Sequence, residues 1–327
     1  MRFQRGRDIV ISMVHHARRT IDCDVRAEST AAYLRTAGDE CAFVETHTAH
    51  AVPRLFAALA SEGLQPEQVR WIVVTHAHLD HAAGAGALLA RCPNATLLAH
   101  PRAARHLIDP TKLVASATQV YGAARFDGLY GRVEPVPAAR VRALSDGEAF
   151  ELGDASLRVH HTAGHAKHHF VVDDPATGTV YTGDTFGLVY PALQRSGRFV
   201  LASTSPTDFD PVEARRSIDR VLALGEPSAC PTHFGEVSDL EEVATQLRTW
   251  IDRSEAWLHE AVSGVDGIGS ITAWISDQLR ASIAADAAAR GLVLGAADWA
   301  LLALDIDLNA QGIAFAAEKL RQGDPPA

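Results

Sequence analysis

The stretch that decides the fold is Thr75-His76-Ala77-His78-Leu79-Asp80-His81. It directly follows the apolar run Trp71-Ile72-Val73-Val74 and directly precedes an Ala-rich segment that extends to Arg91. The run is typical of a buried strand, and the Ala-rich segment is typical of a helix packed closely on a sheet. Three imidazoles and one carboxylate therefore lie where a strand turns into a helix. This ligand set suits zinc, iron or manganese.

The spacing within this stretch predicts two ion positions. Residues two apart on an extended chain point the same way, so His76 and His78 can bind one ion together. Asp80 and His81 fall where the chain turns into the helix, and they can face a second position from the other side. A catalytic metal takes about three protein ligands and a water, so further ligands must come from later in the chain.

The next candidates lie in Thr162-Ala163-Gly164-His165-Ala166-Lys167-His168-His169. His165 is the predicted ligand, because Gly164 allows the backbone to approach a site closely. His169 lies four residues further on and is predicted to hold another ligand through its ring N–H. His160 and His161, on the preceding strand, are alternatives to His165.

Two later turns complete the predicted ligand set. Thr182-Gly183-Asp184-Thr185 places a carboxylate at the end of a hairpin strand, and a carboxylate can bridge two cations with its two oxygens. Asp184 is therefore the predicted bridging ligand. His233 lies in Cys230-Pro231-Thr232-His233-Phe234-Gly235, after an apolar run, and completes a second set of three ligands.

The pattern along the whole chain predicts an α/β architecture. Strand-like and helix-like segments interleave up to about Glu236, and the turn signal at residues 173–178 predicts a hairpin, so the sheets are not purely parallel. After Glu236 the strand signals stop and three apolar stripes at helical spacing follow. We therefore predict a metal-binding catalytic domain over residues 1–236 and a helical C-terminal subdomain over residues 237–327, which caps the site, dimerises, or does both.

Composition restricts the class of protein. The 327 residues carry a formal net charge of −10, and 47% of them are hydrophobic, which excludes a long disordered chain. The basic residues are not clustered, which argues against nucleic acid as a partner. No apolar run reaches about 18 residues, and charges interrupt the N-terminal segment, so we expect a cytoplasmic protein with a small-molecule substrate and no membrane span. The four cysteines form no CxxC pair and are expected to be reduced and buried.

The segments THAHLDH, TAGHAKHH, TGDT and PTHFG occur in the order found in the metallo-β-lactamase superfamily. Over about residues 20–236 the sequence most resembles the glyoxalase II-like (hydroxyacylglutathione hydrolase-like) branch. The resemblance implies an αββα sandwich, with a C-terminal helical extension here, and a dinuclear site at one edge. It also implies that two divalent metal ions, zinc or else iron or manganese, are divided among these residues: His76, His78 and His165 for one ion, Asp80, His81 and His233 for the other, with Asp184 shared.

This resemblance implies a metallo-hydrolase. Water shared by the two ions would attack an ester-like carbonyl, as in a thioester or lactone, and Asp80 would both bind metal and orient the nucleophile. Three alternatives remain: an iron-dependent oxidoreductase similar to persulfide dioxygenases, a phosphodiesterase, and a non-enzymatic metal-binding scaffold. A serine nucleophile is not indicated, because the chain has no GxSxG motif.

The sequence departs from the family pattern in two places. Glu45-Thr46-His47-Thr48 stands where the family often has an Asp-Thr-Gly turn, so we expect that supporting turn to be altered. The chain has only three lysines, and no clear counterpart of the Lys/Tyr set that grips glutathione in the thioesterases. The segment Leu188 to Asp210, with Arg195 and Arg198, lies where those enzymes contact substrate. It is predicted either to bind an acidic group or to be a surface loop.

Overall fold

The computed structural model describes residues 16–23, 26–204, 207–264 and 267–323. The charged segment over residues 1–15, on which the expectation of no leader peptide partly rests, lies outside these described residues.

The first sheet has six strands in chain order, from β1 at one edge to β6 at the other. Its strands are β1 (His16–Asp22), β2 (Ala31–Ala37), β3 (Glu40–Val44), β4 (Val69–Val73), β5 (Thr96–Ala99) and β6 (Val141–Ala143). β1, β2 and β3 pair antiparallel, whereas β3 to β6 pair parallel. Parallel neighbours need long crossovers, and helices supply much of them.

The helices of these crossovers lie between β3 and β6. They are α1 (Val52–Ser61), α2 (Leu79–Ala82), α3 (Ala85–Arg91), α4 (Pro101–Ile108), α5 (Thr111–Tyr121) and α6 (Ala123–Tyr130). The sequence predicts one helix after the metal-binding stretch. The structure has two, α2 and α3, and α2 begins at Leu79, inside that stretch. Because α2 is a single turn that starts at Leu79, both Asp80 and His81 lie within it.

The second sheet has the strand order β11-β10-β9-β8-β7. Its strands are β7 (Ala149–Leu152), β8 (Ala155–His161), β9 (Phe170–Asp174), β10 (Thr179–Leu188) and β11 (Ser228–His233). β7 to β10 pair antiparallel, and the predicted hairpin joins β9 to β10. β11 pairs parallel with β10 after the crossover helix α7 (Pro211–Ala223), and the register shifts so that Pro231 lies opposite Gly183 and His233 lies opposite Leu188.

The two sheets pack face to face. Their shared core contains Tyr33, Val44 and Val73 from the first sheet and Leu157, Val172 and Tyr181 from the second. Helices α1, α3 and α4 cover the outer face of the first sheet. Helix α7 and the C-terminal helices cover the outer face of the second sheet. The predicted αββα sandwich with a C-terminal helical region is therefore confirmed.

The C-terminal region consists of α8 (Leu240–Gly264), α9 (Ile268–Ala289) and α10 (Ala296–Arg321). These helices share one hydrophobic core with β10, β11 and α7. By length and composition α10 could cross a membrane, but 56% of its most apolar window is buried inside the protein. Packing on α8 and α9 accounts for its apolar residues. The boundary at residue 236 stays a prediction.

Candidate metal centre

The seven predicted ligands meet at one edge of the sandwich. Four parts of the chain bring them there: the turn and helix after β4, the loop after β8, the middle of β10 and the end of β11. The residues are His76, His78, Asp80, His81, His165, Asp184 and His233. Their donor atoms form overlapping groups of three, and within each group all atoms lie within 4.8 Å of one another.

The first group is formed by three imidazoles. Nε2 of His165 lies 3.2 Å from Nε2 of His76 and 3.0 Å from Nδ1 of His78. In a tetrahedral zinc site with Zn–N bonds of about 2.0–2.1 Å, neighbouring ligand atoms are about 3.3 Å apart. The spacing of these three nitrogens is therefore close to that around a bound cation.

The second group combines two imidazoles with a carboxylate. Oδ2 of Asp80 lies 3.5 Å from Nε2 of His233 and 3.7 Å from Nε2 of His81. The Asp80 side chain is 39% exposed, whereas His81 is fully buried. Asp80 and His233 line a cavity that also reaches His78 and Asp184.

Asp184 lies between the two groups. Its Oδ2 is 3.3 Å from Nε2 of His165, in the first group. Its Oδ1 is 3.1 Å from Nε2 of His81 and 3.5 Å from Nε2 of His233, in the second group. One carboxylate oxygen therefore faces each group, which is the arrangement expected of a bridging ligand.

Hydrogen bonds fix the ring orientation of three histidines. Nδ1 of His165 lies 3.2 Å from the carbonyl oxygen of Ser203, and Nδ1 of His233 lies 3.0 Å from that of Ser29. A carbonyl oxygen can only accept, so each Nδ1 carries a proton and Nε2 is left for the site. Nδ1 of His76 lies 3.0 Å from the Thr75 hydroxyl, whose proton is donated to Glu45.

Electrostatics distinguishes the two groups. Burial and the neighbouring imidazoles hold the pKa values of His76 and His78 well below the usual range, and burial also lowers the pKa of His165. These rings are therefore neutral at pH 7, as metal ligands must be. With Nδ1 protonated on both rings, the Nε2 atoms of His76 and His165 bring two lone pairs face to face, which a cation between them would stabilise.

The second group carries charge. Burial lowers the pKa of His233, but Asp184 and Asp80 outweigh it and raise the pKa to about 9. Burial is likewise outweighed at His81, where the surrounding carboxylates raise the pKa well above the usual range. The same imidazoles lower the pKa of Asp80 and of Asp184 despite burial. Without metal, these protons balance the carboxylates, so cation binding here must release protons.

Unpartnered polar atoms agree with a cation at this place. Both ring nitrogens of His81 and Oδ1 of Asp184 are enclosed by protein and make no hydrogen bond of acceptable geometry with the described residues, although Oδ1 lies only 3.1 Å from Nε2 of His81. Buried polar atoms of this kind are normally satisfied. The residues present therefore fit two divalent cations, and nitrogen and oxygen donors without sulfur suit zinc, iron or manganese.

His169 supports the centre from behind and lies outside these groups. Its Nε2 accepts the backbone N–H of Asp184 at 3.2 Å, and its Nδ1 lies 2.8 Å from the Thr162 hydroxyl. The sequence predicts a ring N–H donated to a ligand, whereas in the structure the ring accepts a hydrogen bond from the backbone of the ligand Asp184. Gly183 makes this approach possible, because a Cβ there would lie 2.4 Å from the His169 ring.

His169→Ala should weaken metal affinity or activity by about 10- to 100-fold, since the change leaves every ligand atom in place. His165→Ala removes a ligand atom and should cost considerably more. Both variants can be compared by metal titration and by the activity of the metal-loaded protein. Equal losses in the two variants would mean that their roles have been exchanged.

Sequence reasoning missed the walls of the cavity. A cavity of about 250 Å³ opens onto His78, Asp80, Asp184 and His233. Its apolar walls come from helices far apart in the sequence: Leu113 and Ala117 of α5, Leu129 of α6, and Leu304 and Leu308 of α10. The leucines of α10 could have been noticed only as an apolar stripe, which core packing explains equally well.

Other candidates lie outside the centre. Nδ1 of His160 contacts Arg220, and Nε2 of His161 lies 3.0 Å from the carbonyl oxygen of Leu144. The guanidinium groups of Arg195 and Arg198 pair with Asp298 and Asp239, which tie the loop after β10 to the helical region. These two arginines are therefore engaged in structural ion pairs and do not line the cavity.

The fold and the site together define an αββα protein with two sets of side chains at one edge of its sheets that could bind metal. A sequence profile of the metallo-β-lactamase superfamily matches residues 25–233, nearly two thirds of the chain. The protein therefore belongs to the metallo-β-lactamase superfamily, whose members are mostly metal-dependent hydrolases.

Individual relatives agree with this assignment. The chain is 28% identical over 209 residues to the metallo-β-lactamase fold-containing protein ST1585 of Sulfurisphaera tokodaii. The aligned residues cover 62% of this chain and 74% of ST1585. The crystal structure of ST1585 from Sulfolobus tokodaii matches with a TM-score of 0.63 at 20% identity, covering 91% of this chain and 98% of that one.

Further solved structures show the same fold. The metallo-β-lactamase family protein TTHA1429 of Thermus thermophilus has a TM-score of 0.59 at 22% identity and covers 94% of each chain. The BLEG-1 B3 metallo-β-lactamase has a TM-score of 0.53 at 19% identity and covers 70% of this chain and 95% of its own. Residues 237–327 exceed a quarter of the chain, so coverage above 90% includes most of the helical region.

Proposed function

We propose that the protein is a divalent-metal-dependent hydrolase of ester-like bonds, thioesters and lactones included, whose acyl group is apolar. The observation that carries this proposal is the cavity, which joins both ligand groups to walls lined with leucine. Binding sites commonly combine such apolar walls with a few convergent polar groups. The polar groups here are the metal ligands themselves.

The chain's own residues have distinct parts in this chemistry. A pair of divalent cations, when bound, supplies water with a lowered pKa and positive charge for the carbonyl oxygen. The neutral rings of His76, His78 and His165 would provide lone pairs for one cation, and Asp184 would provide one oxygen for each. Asp80 lies at the cavity wall, where its carboxylate can accept a hydrogen bond from water and orient it.

The walls favour an apolar acyl chain over a charged one. Leu113, Ala117 and Leu129 face the cavity from one side, and Leu304 and Leu308 face it from the other. Burial of each methylene is worth about 0.8 kcal/mol, or roughly fourfold in kcat/KM. Lysine is absent from the lining described here, and its arginine, Arg26, lies 3.9 Å from Asp305 and donates to the carbonyl oxygen of Leu301, so recognition of the carboxylates of glutathione is not favoured. Membership of the glyoxalase II-like branch stays a prediction.

The test is a substrate panel run with zinc-, manganese- and iron-loaded protein. It contains p-nitrophenyl acetate, butyrate and hexanoate, the matching phenyl thioesters, a lactone, a β-lactam and bis(p-nitrophenyl) phosphate. We expect hydrolysis of the esters and thioesters, with kcat/KM rising from acetate to hexanoate. Preference for the phosphodiester, or turnover confined to oxygen-dependent oxidation of glutathione persulfide by the iron form, would overturn the proposal.

A further inference from the structure

The loop after β3, Glu45-Thr46-His47-Thr48, has an unusual backbone. Glu45 and His47 adopt φ values of 69° and 55°, in the left-handed region that side chains with a Cβ rarely occupy. Such residues persist only where the surroundings hold them, and they cluster at functional sites. The conformation therefore directs attention to what the side chains of this loop do.

Contacts with the metal-binding turn hold the loop in this conformation. The backbone N–H and the hydroxyl of Thr46 both donate to the carbonyl oxygen of His81, at 3.0 and 2.9 Å. The N–H of Gly84 donates to the carbonyl oxygen of His47 at 2.8 Å. A Cβ on Gly84 would lie 2.8 Å from the carbonyl oxygens of Thr46 and Thr48, so the loop lies directly against this turn.

The imidazole of His47 is a hydrogen-bond donor at the cavity wall. Its Nδ1 accepts the N–H of Thr48 at 2.7 Å, so the proton of the neutral ring is on Nε2. Burial lowers the pKa of His47 to about 4, which agrees with a neutral ring. The ring lines the same cavity as Asp80 and His233, and Nε2 has no acceptor within the described residues.

We propose that His47 is a substrate-binding residue whose Nε2–H donates a hydrogen bond to a substrate oxygen beside Asp80 and His233. The proposal rests on the proposed function, because it assumes a substrate with an ester-like group at the metal centre. A neutral donor of fixed tautomer suits this place, because its hydrogen bond becomes stronger as negative charge develops on the substrate oxygen. His47 is not one of the seven predicted metal ligands.

The test uses two variants of the zinc-loaded full-length protein. His47→Gly removes the donor and suits the left-handed backbone, while the loss of the buried ring costs packing, so we expect unchanged zinc content and a cooperative unfolding transition. Its kcat/KM for p-nitrophenyl hexanoate should fall at least about tenfold. His47→Gln places an amide N–H near the position of Nε2 and should recover most of the loss.

Each outcome bears on the proposal. A loss on both the oxygen ester and its thioester would place the hydrogen bond on the carbonyl oxygen, and a loss on the oxygen ester alone would place it on the leaving-group oxygen; both support the proposal. Wild-type kinetics in His47→Gly would overturn it and leave the proposed function standing. Loss of zinc from His47→Gly would also overturn it, because the residue would then hold the metal centre.

Failure of the proposed function gives a different result. In that case zinc-loaded wild-type protein hydrolyses none of the esters. Calorimetric titration with hexanoate then tests His47 by itself. Weaker hexanoate binding to His47→Gly than to the wild type would support the proposal, and equal affinity would overturn it.

Discussion

Asp184→Ala should abolish turnover and release metal from the protein. Asp184 is the residue whose two carboxylate oxygens face the two ligand groups, within 3.3 Å of Nε2 of His165 and 3.1 Å of Nε2 of His81. Removing it deletes a ligand from both positions at once. It also removes the carboxylate that contributes most to raising the pKa of His81 and of His233.

The measurement is metal content by mass spectrometry together with activity after reloading with zinc. Asp184→Asn keeps the shape and removes the charge, so it separates loss of the carboxylate from a change in packing. Asp173→Asn, on the neighbouring strand β9, is a matched control that should keep its metal. An Asp184→Ala protein that is fully active and still holds two ions would contradict the dinuclear assignment.

Arg35→Met should lower the free energy of unfolding by about 3–5 kcal/mol. Arg35 on β2 and Asp174 on β9 form a fully buried ion pair that joins the two sheets, with Nε to Oδ2 at 2.5 Å and Nη2 to Oδ1 at 3.1 Å. Methionine matches much of the volume but leaves the Asp174 carboxylate without its cation. An uncompensated buried charge is what makes breaking such a pair costly.

Urea unfolding followed by circular dichroism measures this effect. Arg248→Met is the control, because its partner Asp219 is 63% exposed and such pairs contribute only about 0–1 kcal/mol. The double variant Arg35→Met with Asp174→Leu should recover part of the loss, since no charge is then left buried. A loss below about 1 kcal/mol in Arg35→Met would show that the pair does not stabilise the contact between the sheets.

The location of the site could be predicted because several of its ligands lie at or directly after the ends of strands. His76 and His78 follow the buried strand β4, and His233 ends β11. These strand ends meet at one edge of a two-sheet sandwich, so a sequence pattern with correct strand positions also predicts the convergence. The bridging position of Asp184 followed from carboxylate chemistry, but its predicted place at the end of the hairpin strand was wrong. Asp184 lies in the middle of β10, because this strand continues beside β11 beyond its pairing with β9.

Other features depended on contacts that a sequence does not reveal. β2 reads Ala-Ala-Tyr-Leu-Arg-Thr-Ala, which is rich in helix-forming residues, and it is a strand because β1 and β3 pair with it on both sides. The cavity walls come from α5 and α6, which are neighbours in the sequence, and from α10, which begins well over a hundred residues later. The left-handed backbone at His47 is imposed by Thr46 and Gly84 contacts that form only in the folded protein.

The C-terminal helices form part of the cavity wall. Leu304 and Leu308 of α10 line the cavity, so this region contributes to the site. The expected homodimer through these helices stays a prediction, and so does the cytoplasmic location.

Anomalous diffraction from crystals grown with zinc is the most direct test of the central claim. We expect two peaks, each marking one zinc ion. One ion would be bound by His76, His78 and His165 and the other by Asp80, His81 and His233, and each would also be bound by an oxygen of Asp184. Imidazoles without anomalous density, in crystals with ample zinc, would contradict it.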